Sequence, residues 1–227
     1  MTRRISLLCG ILSSLLYVAM NVLVPMQWEG YSSASQTVSE LSAIGAPTRP
    51  LWVVLGMVYI LLFAAFGLGV WQSAGGNRRL RVLGGLILAY CVVNLYWPPM
   101  HLRGIEPSLT DTLHIVWSIV AVLLMMLMMG FGAAALGTRF RVYTIATMGI
   151  LVAFGLVTGK DGPRIAANLP TPWVGVWERI LIAVFLLWVM VLAIRLLRTE
   201  PTANPFLGSE SRASRGLPSH RKATSFP

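Results

Sequence analysis

Apolar residues in this chain run in long blocks separated by short polar stretches. Six blocks can be drawn, at residues 5–26, 51–72, 82–99, 111–136, 142–159 and 174–197. A helix needs about 20 predominantly apolar residues to cross the hydrocarbon core of a bilayer, and most of the blocks meet that length. Lipid gives the backbone no hydrogen-bond partner, so each block is expected to be helical. The pattern predicts an all-α polytopic membrane protein, a six-helix transmembrane bundle over residues 1–198. The third and fifth blocks are the shortest, and the alternative for the fifth is a tilted or partly buried helix. The run from Ile5 to Met26 is too long for a signal-peptide core and reads as a retained first span. Residues 199–227 are rich in Pro, Ser and Arg and read as a disordered basic tail. No internal repeat is evident.

Composition agrees. The chain is 56% hydrophobic and 11% charged, where a soluble domain carries about 25% charged residues. The formal net charge of +10 would suggest nucleic acid in a soluble protein, but here the basic residues stand at span ends. Arg3 and Arg4 precede the first span, Arg78, Arg79 and Arg81 lie between the second and third, and Arg139 and Arg141 between the fourth and fifth. Arg195, Arg198, Arg212, Arg215, Arg221 and Lys222 follow or end the sixth. By the positive-inside rule both termini are cytoplasmic, in the cell's inner (plasma) membrane. The expected partners are membrane lipids, with anionic headgroups near the basic loops and tail, and no nucleic acid. Cys9 and Cys91 fall at different depths of their spans, which disfavours a disulfide.

The acids sort the other way. Glu29, Glu40, Glu106, Asp111, Asp161 and Glu178, with His101 and His114, fall on the extracytoplasmic side. Acids have little influence on topology, so this skew needs its own explanation. In the first outer loop, Ser33 with Gln36 and Thr37 with Glu40 have capping-box spacing, and Gly45 then Pro47 form a stop. A short surface helix over residues 34–44 is predicted, with Val38, Leu41 and Ile44 on one face. The third span ends at Pro98-Pro99 beneath His101 and Arg103, with Tyr96 and Trp97 in an interfacial aromatic belt. Asn94 inside that span needs a hydrogen-bond partner, most simply on another helix.

Ser108 and Asp111 form a further capping box. Asp111, His114 and Ser118 share one helical face, so the carboxylate could orient the imidazole. Thr171 as N-cap and Pro172 at the first helical position open the sixth span and place Glu178 and Arg179 two turns inside it. A charge there is costly, so each needs a partner across helices. Structural readings stand beside these: caps for Glu40 and Asp111, an interfacial imidazole for His114, interhelical salt bridges for Glu178 and Arg179. The stretch Lys160 to Arg164 reads as a charged turn, and the methionines at 125, 126, 128 and 129 as filler.

The run Ser39-Glu40-Leu41-Ser42-Ala43-Ile44-Gly45-Ala46-Pro47-Thr48-Arg49-Pro50-Leu51 resembles the uncharacterised bacterial membrane family catalogued as domain of unknown function 998. The Met100 to Arg103 stretch, the Asp111 to His114 run and the Glu178-Arg179 pair are similar to it too. The resemblance covers residues 5–198. It implies a six-helix inner-membrane fold and no particular activity.

The leading functional expectation is a polar site at the extracytoplasmic mouth of the bundle, binding a lipid or small amphiphile and able to hydrolyse or transfer it. Its catalytic candidates are Glu40, His101, Asp111, His114 and Glu178, and its binding candidates are Arg49, Arg103, Arg179, Asn94 and Ser118. Two His with carboxylates could bind Zn and activate water, and a metal-free acid–base site is equally open. No HExxH, CxxC or Gly-rich phosphate loop is present. The alternatives are an assembly or sensor subunit whose polar cluster is structural, and a proton-coupled carrier. The carrier reading lacks the repeat and the mid-depth charges usual in transporters.

Overall fold

The computed structural model describes residues 1–199. The expected tail therefore lies outside the described residues, apart from Thr199. The regular elements among the described residues are helices: α1 (Arg3–Leu23), α2 (Arg49–Gln72), α3 (Arg78–Val93), α4 (Leu109–Ala135), α5 (Thr138–Lys160), the short α6 (Gly162–Ala166) and α7 (Val174–Arg198). Five helices are long and apolar enough to cross a membrane, namely α1, α2, α4, α5 and α7. The protein is a helical multi-pass membrane protein on that ground.

The helices pack in a ring. α1 neighbours α2 and α7, α2 neighbours α3, α3 neighbours α4, α4 neighbours α5, and α5 closes onto α7. Small residues let backbones meet where apolar burial gives no drive between helices. A Cβ at Gly69 of α2 would stand 2.9 Å from the Leu7 nitrogen of α1, so only glycine permits that crossing. The middle of the ring is filled by aromatic rings. Phe63 meets Tyr90 edge-on at 5.6 Å and Phe185 at 6.3 Å, and Phe185 stacks on Trp188 at 6.2 Å. Trp188 is fully buried, and its indole N–H donates to Thr144 Oγ1 at 3.0 Å, which satisfies the one polar atom of that ring.

α3 departs from the drawn span. It starts earlier, at Arg78 after the Asn77 N-cap, and stops at Val93 rather than Pro99. Pro98 and Pro99 can donate no backbone hydrogen bond to Asn94 and Leu95, so the helix cannot continue. At 16 residues it is about 24 Å long, shorter than its neighbours. α5 departs in the other direction: the weakest predicted span is a helix of 23 residues. Its N-terminus is set by Gly137, whose φ of +81° reverses the chain after α4.

The surface helix predicted over 34–44 is corrected. A single 3₁₀ turn, Ser39–Ser42, stands in its place, and the flanking residues are turns. The Glu40 carboxylate draws the backbone N–H and hydroxyl of Thr37 inward at 2.6 and 2.9 Å. Ile44 leaves the predicted face to pair with the 100–101 segment, its N–H donating to the Met100 carbonyl at 2.8 Å. A local side-chain bond at Thr37 and a distant backbone bond at Ile44 thus displaced the helical ones.

At the basic end, several arginines cap helix C-termini. Arg3 donates to the Leu196 carbonyl of α7 at 3.1 Å, Arg79 to Ala134 of α4 at 2.8 Å, and Arg195 to Leu136 at 2.8 Å. Unsatisfied carbonyls and the negative helix end both favour such cations.

Candidate functional site

The candidate residues gather at the opposite end of the ring and divide into a cap of loops and a cavity below it. The cap is built on two side-chain pairs, Glu40 with Arg103 and Asp111 with His101. Glu40 is 0% exposed. Its two oxygens accept from Arg103 Nε at 2.7 Å and Nη2 at 3.0 Å. The other contacts of that guanidinium are Thr171 Oγ1 at 2.7 Å and the Ser35 carbonyl at 2.9 Å. Arg103 therefore ties the first loop, the α3–α4 loop and the approach to α7 together, with every nitrogen committed.

The second pair is His101 with Asp111. Asp111 accepts the His101 backbone N–H at 2.7 Å and faces its Nδ1 at 2.8 Å, while completing the Ser108 capping box of α4. The side chains are 22% and 19% exposed. The expected partner of Asp111 was His114; the structure places His101 there instead. Arg49 donates to the Ser42 carbonyl and thereby ties the first loop to the start of α2.

Arg179 also serves the cap. Its Nη1 donates to the carbonyls of Ser33 at 2.8 Å and Gln36 at 3.2 Å, and Nη2 to the Tyr31 hydroxyl at 2.8 Å. Tyr31 donates in turn to the Thr37 carbonyl at 2.7 Å. Burial pushes the Tyr31 phenol up to about 12, against the opposing pull of the Arg179 charge. α7 starts at Val174, so Thr171 is not its N-cap and Glu178 stands only one turn inside. Thr171 is drawn off the helix by its bonds to Arg103 and to the Ser35 carbonyl at 3.0 Å. Gly175 lies directly under the first loop, its N–H donating to the Ala34 carbonyl at 2.9 Å.

Below the cap lies a partly open cavity of about 180 Å³ between the helices. Helical periodicity explains which residues reach it. His114, Trp117, Ser118, Ala121, Val122 and Met125 form one stripe of α4; Trp52, Gly56, Tyr59 and Ile60 one stripe of α2. Glu178, Leu181 and Ile182 face it from α7, Tyr90 from α3, Asn94 and Trp97 from just beyond that helix, and Tyr17 from α1. Ser39 and Ser42 of the cap form the roof. His114 Nδ1 lies 2.6 Å from the Pro98 carbonyl, which can only accept, so Nδ1 carries a proton; Nε2 meets Ser39 Oγ at 3.2 Å. Glu178 Oε2 accepts the Val38 N–H at 2.5 Å. Asn94 bonds to its own helix, at the Tyr90 carbonyl, rather than to another. Ser118 donates to the His114 carbonyl at 2.8 Å.

The ten candidates thus separate. Glu40, Arg103, Arg49, Arg179, His101 and Asp111 belong to the cap, and His114, Glu178, Asn94 and Ser118 to the cavity. Among the described residues, no three His, Cys, Asp or Glu side chains stand close enough to hold one metal ion. The sequence reading missed the cavity's aromatic wall. Trp97, assigned to the interfacial belt, turns inward to Ser42 Oγ at 3.4 Å, while Tyr96 is 73% exposed. The available signal was Trp and Tyr recurring at helical spacing inside spans. A larger groove of about 580 Å³ lies at the basic end, lined by Trp71, Arg78 and Arg81 among others, far from all ten candidates.

No curated protein and no solved structure gives a significant match to the chain. A match to the family described as Protein of unknown function (DUF998) spans residues 11–195, from within α1 to within α7, and takes in both halves of the cap. The chain belongs to that family.

Proposed function

We propose that this protein binds a small molecule, or the head of an amphiphile, in the cavity beneath the cap. On this reading the chain crosses a bacterial inner membrane six times, with both termini cytoplasmic and the cap extracytoplasmic. The clustering of Arg at the basic end supports the orientation. One observation carries the binding reading: His114, Asn94, Ser118 and Glu178 all border one cavity inside the bundle. Polar groups inside a membrane bundle are costly and mark sites by default. The volume corresponds to about six waters, too little for a whole two-chain lipid. Of the five catalytic candidates only His114 and Glu178 line the cavity, while Glu40, His101 and Asp111 are held in the cap. The interlocked cap supports the structural reading for its own residues. The basic groove at Trp71, Arg78 and Arg81 supports contact with anionic headgroups on the cytoplasmic side.

A thermal-shift panel of small neutral, cationic and anionic compounds tests the site, using purified protein beside Ser118→Trp and Ala121→Leu, which fill the cavity. A bound compound raises the melting temperature through mass action. At least one compound should stabilise the wild type by several degrees and neither filled variant. A panel with no such difference overturns the reading.

A further inference from the structure

We infer that the occupant of this cavity is a small organic cation, an amine or quaternary ammonium head. The inference rests on the binding reading above and names its ligand class. It comes from the charge and the surface of the lining. Among the described residues Glu40 pairs with Arg103 and Asp111 with the His101 ring, and Glu178 is in neither pair. Its sequence neighbour Arg179 is turned away, onto the loop carbonyls and the Tyr31 hydroxyl. The donor to Glu178 is a single backbone N–H, that of Val38. No Arg or Lys lines the cavity. The cavity therefore holds one carboxylate and no basic side chain except the His114 imidazole. A carboxylate in such surroundings is stabilised by a cation beside it.

The walls have the matching chemistry. Tyr17, Trp52, Tyr59, Tyr90, Trp97 and Trp117 all border the space. Tyr17 packs edge-on against Trp52 at 5.8 Å and against Tyr59 at 4.9 Å, which fixes three of the rings relative to one another. Faces of Trp and Tyr attract ammonium groups, most strongly where water is excluded, and aromatic cages of this kind bind quaternary ammonium ligands. An anionic occupant would meet the Glu178 carboxylate with no Arg or Lys on the cavity wall to offset the repulsion. A neutral one would bring no charge to pair with that carboxylate.

The experiment compares three probes of one shape: choline, its uncharged analogue 3,3-dimethylbutan-1-ol, and the anion 3,3-dimethylbutanoate. Binding to purified protein in nanodiscs is read by quenching of cavity tryptophan fluorescence and by thermal shift. Choline should bind at least tenfold more tightly than either analogue. Glu178→Gln keeps an acceptor for the Val38 N–H, so the fold is retained, and it should remove that preference. Trp117→Leu keeps an apolar lining and should weaken choline severalfold without improving the neutral analogue. If the uncharged analogue binds as well as choline, or Glu178→Gln leaves the preference intact, the cation assignment is overturned while the cavity remains a site. If none of the three binds, the assignment is overturned, and the filled-cavity panel decides separately whether the site exists.

Discussion

Arg103 has each guanidinium nitrogen bonded to protein, across 63 residues to Glu40 and 68 to Thr171 and Ser35. Removing one member of a buried ion pair leaves the other uncompensated and costs about 3–5 kcal/mol. Arg103→Ala and Glu40→Ala should each destabilise the protein by that order, and the double variant by clearly less than the sum, measured as a double-mutant cycle of unfolding in bicelles. Tyr31 gives a pH prediction. Its folded-state value, near 12, lies above the ordinary phenol value of about 10. Its contribution to stability is then fully present below about pH 10 and is lost as pH rises toward 12. The alkaline decline should be shallower in Tyr31→Phe, read by thermal unfolding at stepped pH. The residue pairs legible in the sequence were local. Ser108 with Asp111, and Thr37 with Glu40, lie three apart and form as their spacing predicts. Arg103 with Glu40 was not legible, because nothing in the order of residues says which loops meet. His101 with Asp111, ten apart, depends on how the chain reverses between α3 and α4.

The helices themselves were readable, since long apolar blocks in lipid have one backbone solution. Their ends were less so. The start of α7 shifted to Val174 because Thr171 bonds across to Arg103 and Ser35 rather than capping its own helix. The first loop is not a helix for a related reason, since Glu178, Arg103, Arg179 and the parallel Ile44–His101 bridge give its backbone long-range partners. The stripe on α4 shows what remained hidden. Its spacing was visible, but a stripe facing a cavity and one facing a neighbour have the same period. Gly175 is the tightest point between α7 and the cap, where an added Cβ would run into the carbonyls of Ser33 and Gln36. Overpacking of this kind costs about 1–3 kcal/mol. Gly175→Ala should lower stability by that order and raise protease cleavage within residues 25–48, with the rest of the bundle protected; unchanged cleavage would place the cap elsewhere.

At the scale of the whole molecule, charge divides the protein into two ends with different work. The basic end ties helix C-termini together with arginines, and the cap end ties loops together with ion pairs. Topology follows as a prediction. In a background with Cys9 and Cys91 replaced by Ser, single cysteines at Glu106 and Gly162 should react with a membrane-impermeant maleimide in intact spheroplasts. Cysteines at Gly76 and Gly137 should react only after permeabilisation. The reverse pattern would invert the molecule. The span of the cap's bonds also bears on how the protein is made. Glu40 is synthesised early, while Arg179, which holds the Ser33 and Gln36 carbonyls, comes more than 140 residues after them. At about 5–20 residues per second, the first loop waits roughly seven to thirty seconds before its last fastening exists. Its run of Ser and Gln suits it to wait in water. A chain arrested before α7 would be inserted yet left uncapped, so closure of the cap reports that α7 has been made.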